Sequence, residues 1–134
     1  AEDGLIIRPG RIVIAPGHGH MLVRRSGDQL TTRLCSEPVA SGCMPSVDPM
    51  LTTLAQACAG RALCVILSGM GRDGVIGAQD LIDAGGTLYA QDADTSAVWG
   101  MPGAVARAGL ASLIAPSERL GDALTAHAGT AVQR

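Results

Sequence analysis

The sequence predicts an α/β fold, doubly wound about a mainly parallel sheet with helices on both faces and a short antiparallel hairpin near its start. Three observations point there. The apolar run Leu63 to Leu67 enters a glycine-rich turn from which an apolar helix leaves, and a continuous apolar strand is the kind that helices cover on both faces. Gly85 and Gly86 then stop that helix ahead of a second strand, Thr87 to Ala90, completing a βαβ unit with parallel strands. Upstream, Met21 to Arg25 and Gln29 to Leu34 flank the turn residues Ser26, Gly27 and Asp28 as a hairpin.

In chain order, Ile12 to Ala15 reads as the first strand, followed by the two hairpin strands and a polar loop that ends at Pro45. Ser46 is a candidate N-cap and Asp48 and Pro49 suit a first helical turn; Met50, Leu51, Leu54, Ala55 and Cys58 then share one face until Gly60 closes the helix. Strand Ala62 to Leu67 comes next. Past the glycine turn, Val75, Ile76, Ala78, Leu81 and Ile82 recur at helical spacing. A loop from Gln91 to Gly100 leads to Met101 and Pro102, a short helix ending near Gly109, a strand at Ser112 to Ile114 and a last helix opened by Ser117. The end, Gly129 to Arg134, is expected to fray. No internal repeat, low-complexity segment or domain boundary is visible in residues 1–134.

Composition excludes several classes of function. With 134 residues, 47% hydrophobic, 16% charged and a net charge of −2, the chain is globular and at most one domain, short for a complete doubly wound fold. The ten basic residues are all arginine and form no stripe, and Tyr89 and Trp99 are the only aromatics, which leaves no stacking platform for bases and makes nucleic acid an unsuitable partner. The apolar runs are too short to cross a bilayer, and the acidic start Ala1-Glu2-Asp3 does not read as a signal peptide, so a cytoplasmic location without membrane insertion is expected. The four cysteines, at 35, 43, 58 and 64, form no C-x-x-C pair and read as buried free thiols. A zinc site from Cys35, Cys43, His18 and His20 fits no finger spacing, so no metal is expected.

The turn Ser68-Gly69-Met70-Gly71-Arg72-Asp73-Gly74 is the most informative segment, since open α/β sheets bind ligands at the carboxyl ends of their strands. Gly69, Gly71 and Gly74 satisfy G-x-G-x-x-G, with Asp92 or Asp94 after the next strand, which is formally a dinucleotide fingerprint. Asp73, however, would set a carboxylate where the pyrophosphate should bind, and like charges repel. A P-loop fails because the chain has no lysine. Two readings of Asp73 remain open from its surroundings: an N-cap for the helix that follows, or a carboxylate that orients a catalytic histidine beside an amide able to serve an oxyanion.

A family resemblance rests on Ala1-Glu2-Asp3-Gly4, Pro9-Gly10, Ala15-Pro16-Gly17 with His20-Met21, Pro45-Ser46-Val47-Asp48, Val65 through Gly74, Gln91-Asp92 and Gly100-Met101-Pro102. In that order and spacing they resemble the chemotaxis protein-glutamate methylesterases over residues 1 to about 125. The resemblance implies a serine that attacks a glutamate γ-methyl ester on a chemoreceptor, a histidine as base and then acid, and an aspartate that orients the histidine. Asp73 matches the aspartate. Met70, with Gly69 and Gly71, matches the segment that lines the site and offers an amide to the oxyanion, and Met101 and Pro102 fall near the cleft.

The family's serine and histidine have no match here, because both lie upstream of the segment that begins at Ala1. The first strands of the family fold and its receiver domain are likewise unmatched. The resemblance therefore implies the C-terminal part of a catalytic domain, needing no cofactor, with methylated chemoreceptor helices, the receiver domain and the upstream catalytic segment as partners. Alternatives are a non-catalytic interaction module and a dinucleotide-binding βαβ domain. His20 matches a recurrent family histidine and reads as a hydrogen-bonded structural side chain, while Cys43-Met44 stand where the family usually has His-Arg.

Overall fold

The computed structural model describes residues 1–132, with side chains through Gly129. Two three-stranded sheets flank a helical layer. The first is antiparallel, in the order β1–β3–β2, from β1 (Ile6–Ile7), β2 (His20–Ser26) and β3 (Gln29–Cys35). Helix α1 (Val47–Cys58) leads to the second sheet, which is parallel, in the order β4–β5–β6, from β4 (Leu63–Ile66), β5 (Thr87–Gln91) and β6 (Leu113–Ala115). Helix α2 (Val75–Asp83) links β4 to β5, α3 (Met101–Arg107) links β5 to β6, and α4 (Ser117–Val132) closes the chain. The α/β class and the parallel βαβ unit agree with the sequence, and the hairpin pairs as expected, from His20 opposite Cys35 to Ser26 opposite Gln29.

The predicted strand at Ile12 to Ala15 does not form. Residues 11–16 have no regular structure, and Ile12 and Ile14 stand 93% and 74% exposed. A strand exists only through its ladder, and the third place in the antiparallel sheet is taken by Ile6 and Ile7, paired with Thr31 and Leu30. Other differences are local. Gln91 extends β5 because it pairs with Ala115, α1 closes with Ala59 in the left-handed region ahead of Gly60, and α4 is helical as far as Val132. Residues 133 and 134 lie outside the described residues.

The main core joins Leu51 and Ala55 of α1, Cys64 and Ile66 of β4, Ala78 and Leu81 of α2, Leu88 and Ala90 of β5, and Val105 of α3. Each fully buried Leu or Val contributes roughly 1.5–3 kcal/mol. Of the cysteines, Cys58 and Cys64 are buried free thiols as expected, Cys35 is half-buried and Cys43 is exposed. Burial pushes the Cys64 thiol up to about 12.

Polar pins set how α1 lies on α2. The Gly77 amide donates to Asp48 Oδ1 at 2.8 Å and the Thr52 hydroxyl to Asp80 Oδ2 at 2.6 Å. The two helices meet closely at Gly77, where a Cβ would stand 2.5 Å from the Asp48 carbonyl oxygen and 2.7 Å from the Leu51 Cβ. Gly77→Ala, which helix propensity alone would favour, is therefore expected to cost about 1–3 kcal/mol of stability through overpacking. Urea denaturation checks it; a variant as stable as the parent would mean that the helices can part at no cost.

Candidate functional site

The site is built where the turn after β4 meets the start of α1. Asp73, 6% exposed, accepts the Ser46 hydroxyl on Oδ1 at 2.6 Å and the Val47 amide on Oδ2 at 2.7 Å. Ser46 is the N-cap of α1 and takes the Asp48 amide on its own Oγ at 3.2 Å. The N-cap reading of Asp73 is thus corrected. Helix α2 starts at Val75 with Gly74 as its N-cap, at φ 98° and with no side-chain cap bond, and the Asp73 carboxylate serves the start of a different helix, α1. A residue two positions before a helix reads from sequence as that helix's cap, yet the glycines turn this carboxylate toward its neighbour.

This geometry keeps Asp73 charged. Burial acts to raise its pKa, but hydrogen bonds from the Ser46 hydroxyl, the Val47 amide and the Ser41 hydroxyl outweigh burial and hold the carboxyl below its ordinary value. Asp48, in the first turn of α1, moves the opposite way. Burial raises it, the Gly77 amide offsets part of that, and the Asp73 charge raises it further.

Ser68, Met70, Gly71 and Arg72 are the exposed residues of the turn, with Met70 83% exposed and Gly71 at φ 91°. Behind them the turn is tied to the loop before α3. The Gly69 amide donates to the Val98 carbonyl at 3.0 Å, and the Gly69 carbonyl accepts the Met101 amide at 2.8 Å. Gly100 lies so near that a Cβ there would stand 2.7 Å from the Gly69 carbonyl oxygen. Met101 sets its sulfur beneath Gly69 and Pro102 is buried at the start of α3, so both support the turn from below. The glycines of the dinucleotide pattern serve the turn itself: a Cβ at Gly69 would stand 2.9 Å from the Met101 sulfur, and Gly71 and Gly74 take φ of 91° and 98°.

Sequence reasoning gave three contributors, Gln91, Trp99 and Ser46, no role in the site. Gln91 accepts the Ser68 amide on Oε1 at 2.8 Å and donates to Thr95, while the Trp99 indole donates to the Gln91 carbonyl at 3.0 Å, stapling both loops to the end of β5. Ser46 reads from sequence as the cap of α1 and as part of the Pro45-Ser46-Val47-Asp48 pattern, and neither points to its bond with Asp73. The zinc alternative does not assemble, since His20 engages both ring nitrogens with protein groups. Among the described residues no group of three or more His, Cys, Asp or Glu side chains could hold a metal, and no helix is long and apolar enough to cross a membrane.

An ionised carboxylate beside a glycine turn, outside the carboxyl end of a parallel strand, places the chain among α/β proteins whose chemistry sits on the loops at that edge. The chain belongs to the CheB methylesterase family, whose model matches residues 1–124. It is 49% identical over 116 residues, 87% of its length, to the protein-glutamate methylesterase/protein-glutamine glutaminase 1 of Paramagnetospirillum magneticum, covering 30% of that protein. With the corresponding protein 2 of Caulobacter vibrioides it shares 46% identity over 96% of its length and 37% of the relative's. The crystal structure of the Thermotoga maritima CheB methylesterase catalytic domain superposes with a TM-score of 0.89 at 34% identity, covering 92% of this chain and 66% of that one. The chain thus spans about a third of the length of these curated relatives.

The opposed carboxyls set a pH dependence. A carboxyl with a raised folded pKa, Asp48, adds stability that is full below the unfolded value and lost as pH rises through the folded one; Asp73, lowered, adds stability above the unfolded value and loses it as pH falls through the folded one. Asp48→Asn keeps an oxygen for the Gly77 amide and removes the charge, so its Tm should exceed the parent's at neutral pH and lose that advantage below about pH 4. Thermal melts across pH check this, and a lower Tm for the variant at neutral pH contradicts it.

Proposed function

We propose that this chain supplies the acid of a Ser-His-Asp centre that hydrolyses glutamate γ-methyl esters on chemoreceptor helices, and glutamine side chains by the same acyl chemistry. One observation carries the reading: Asp73 is buried yet held ionised by donors on both oxygens, at the carboxyl end of a parallel strand. A carboxylate so fixed can hold an imidazole in the tautomer that accepts the serine proton and can stabilise the imidazolium that forms. Met70, between Gly69 and Gly71, presents a backbone amide to the oxyanion, and Met101 and Pro102 keep that turn in place. Family membership and the names of the relatives support the substrate class.

The nucleophile and the base come from a segment upstream of Ala1, since no serine here sits in a G-x-S-x-G turn and His18, His20 and His127 do not match the family's catalytic position. The receiver domain and the receptor helices are the remaining partners, and the setting is cytoplasmic. Neither a metal nor a cofactor is required by this chemistry.

The 134-residue chain by itself is expected to release no methanol from methylated receptor membranes above background, because nucleophile and base are both missing. Release that a serine-directed inhibitor abolishes would count against the assignment of roles. Joined to an upstream segment that supplies the serine and histidine, the domain should lose about 10⁴-fold in turnover on Asp73→Asn. That variant keeps oxygen and nitrogen near the start of α1 but lacks the charge, so near-normal turnover in a well-folded Asp73→Asn protein would sink the catalytic role of Asp73.

A further inference from the structure

His20 is 1% exposed at the start of β2, and the site as described so far leaves it without a task. Its Nδ1 accepts the Ser46 amide at 2.9 Å, which puts the ring proton on Nε2, where it is donated to the Glu37 carbonyl at 3.0 Å. The next atoms along this line are the ones that grip Asp73: the Ser46 hydroxyl and the Val47 amide, one peptide beyond the amide that His20 holds. The start of α1 needs such an anchor, because residues 36–46 have no helix or strand to position it.

We infer that His20 is a positioning residue for Asp73: its Nδ1 fixes the Ser46 amide and so holds both donors of α1 in register with the two carboxylate oxygens. The inference rests on reading Asp73 as the catalytic acid only for its consequence in turnover; the positioning itself is a property of this chain. The neutral imidazole suits the task, since one nitrogen must accept from Ser46 while the other donates to Glu37. The Ser41 hydroxyl, 3.3 Å from Ser46 Oγ, steadies the same serine from the loop side, and Asp48 is the titratable neighbour that faces Asp73 from α1.

The two nitrogens can be tested separately, because Asn places its amide group near Nδ1 and Gln places its own near Nε2. His20→Asn retains an acceptor for Ser46 and loses the Glu37 bond; His20→Gln does the reverse. Carbon-detected NMR titration of the Asp73 carboxyl in the 134-residue chain reads the outcome. The Asp73 midpoint should stay low in His20→Asn and move upward in His20→Gln, as it should in Ser46→Ala, whereas a packing role for His20 would affect both His20 variants alike. Equal midpoints in the Asn and Gln proteins overturn the inference.

Nitrogen NMR of the unaltered chain gives a second measurement that no folding defect can obscure. An unprotonated His20 Nδ1 with a coupling across the hydrogen bond to the Ser46 nitrogen is expected, and a protonated Nδ1 overturns the inference. In the joined domain, His20→Gln should lower kcat by on the order of 10²-fold, the scale of a small misplacement at a reacting centre, with His20→Asn restoring most of it. A normal rate for Asp73→Asn would remove the catalytic reading of Asp73 while leaving the titration result standing, so the two failures are distinguishable.

Discussion

The bond pair between Asp73 and the start of α1 is the contact on which the arrangement of the site depends. It joins the turn after β4 to a helix that follows the antiparallel sheet, and thereby locks the two halves of the chain at the place where chemistry is expected. A carboxylate at a helix N-terminus meets unpaired amides and the positive end of the helix dipole, an interaction of about 0.3–1 kcal/mol when exposed and up to about 2 kcal/mol when partly buried. Here the same charge that secures α1 is the charge the proposed reaction uses. Fold stability and function thus draw on one ionised group.

Around that contact the backbone is crowded for a reason. The turn from Gly69 to Gly74 passes close against Met101 and Gly100, where a Cβ on Gly69 or Gly100 would have no room, and Gly71 and Gly74 take positive φ to complete it. Gln91 then uses its side chain to satisfy the Ser68 amide, and Trp99, covered by the Arg107 guanidinium 5.3 Å from its ring centre, ties the second loop to the same strand end. Two loops that would move independently on separate strands become one surface. Met70 is left as its exposed apolar tip, suited to border a cleft and unsuited to fill a core.

The antiparallel sheet is attached through different contacts. Val23 of β2 packs with Ala57 and Cys58, its amide donates to Thr53 at 3.0 Å, and the Arg25 side chain donates to the Ala57 carbonyl at 2.6 Å. These bonds hold α1 along its length, while His20 holds its first turn. Ile12 and Ile14, by contrast, lie in a segment without regular structure whose backbone joins no sheet, and their β-branched side chains stay exposed.

Much was legible in the sequence because it rests on local chemistry: the periodicity of α1 and α2, the hairpin turn at Ser26 to Asp28, the stop at Gly85 and Gly86, and the tight turn built on Gly69, Gly71 and Gly74 all follow from backbone preferences and spacing. The family was legible too, from several short patterns in one register. What the tertiary structure decided is which partner each group finds. Ile12 to Ala15 has strand chemistry but no ladder, since pairing depends on a distant chain; Ile6 and Ile7 form a strand because Thr31 and Leu30 lie beside them. Asp73 looks like the cap of its own helix and serves another, 26 residues earlier in the chain, and His20 gains its task only because folding sets Ser46 against it. Hydrogen bonds of this range leave no periodic trace in sequence, because their geometry is defined only once the elements are packed.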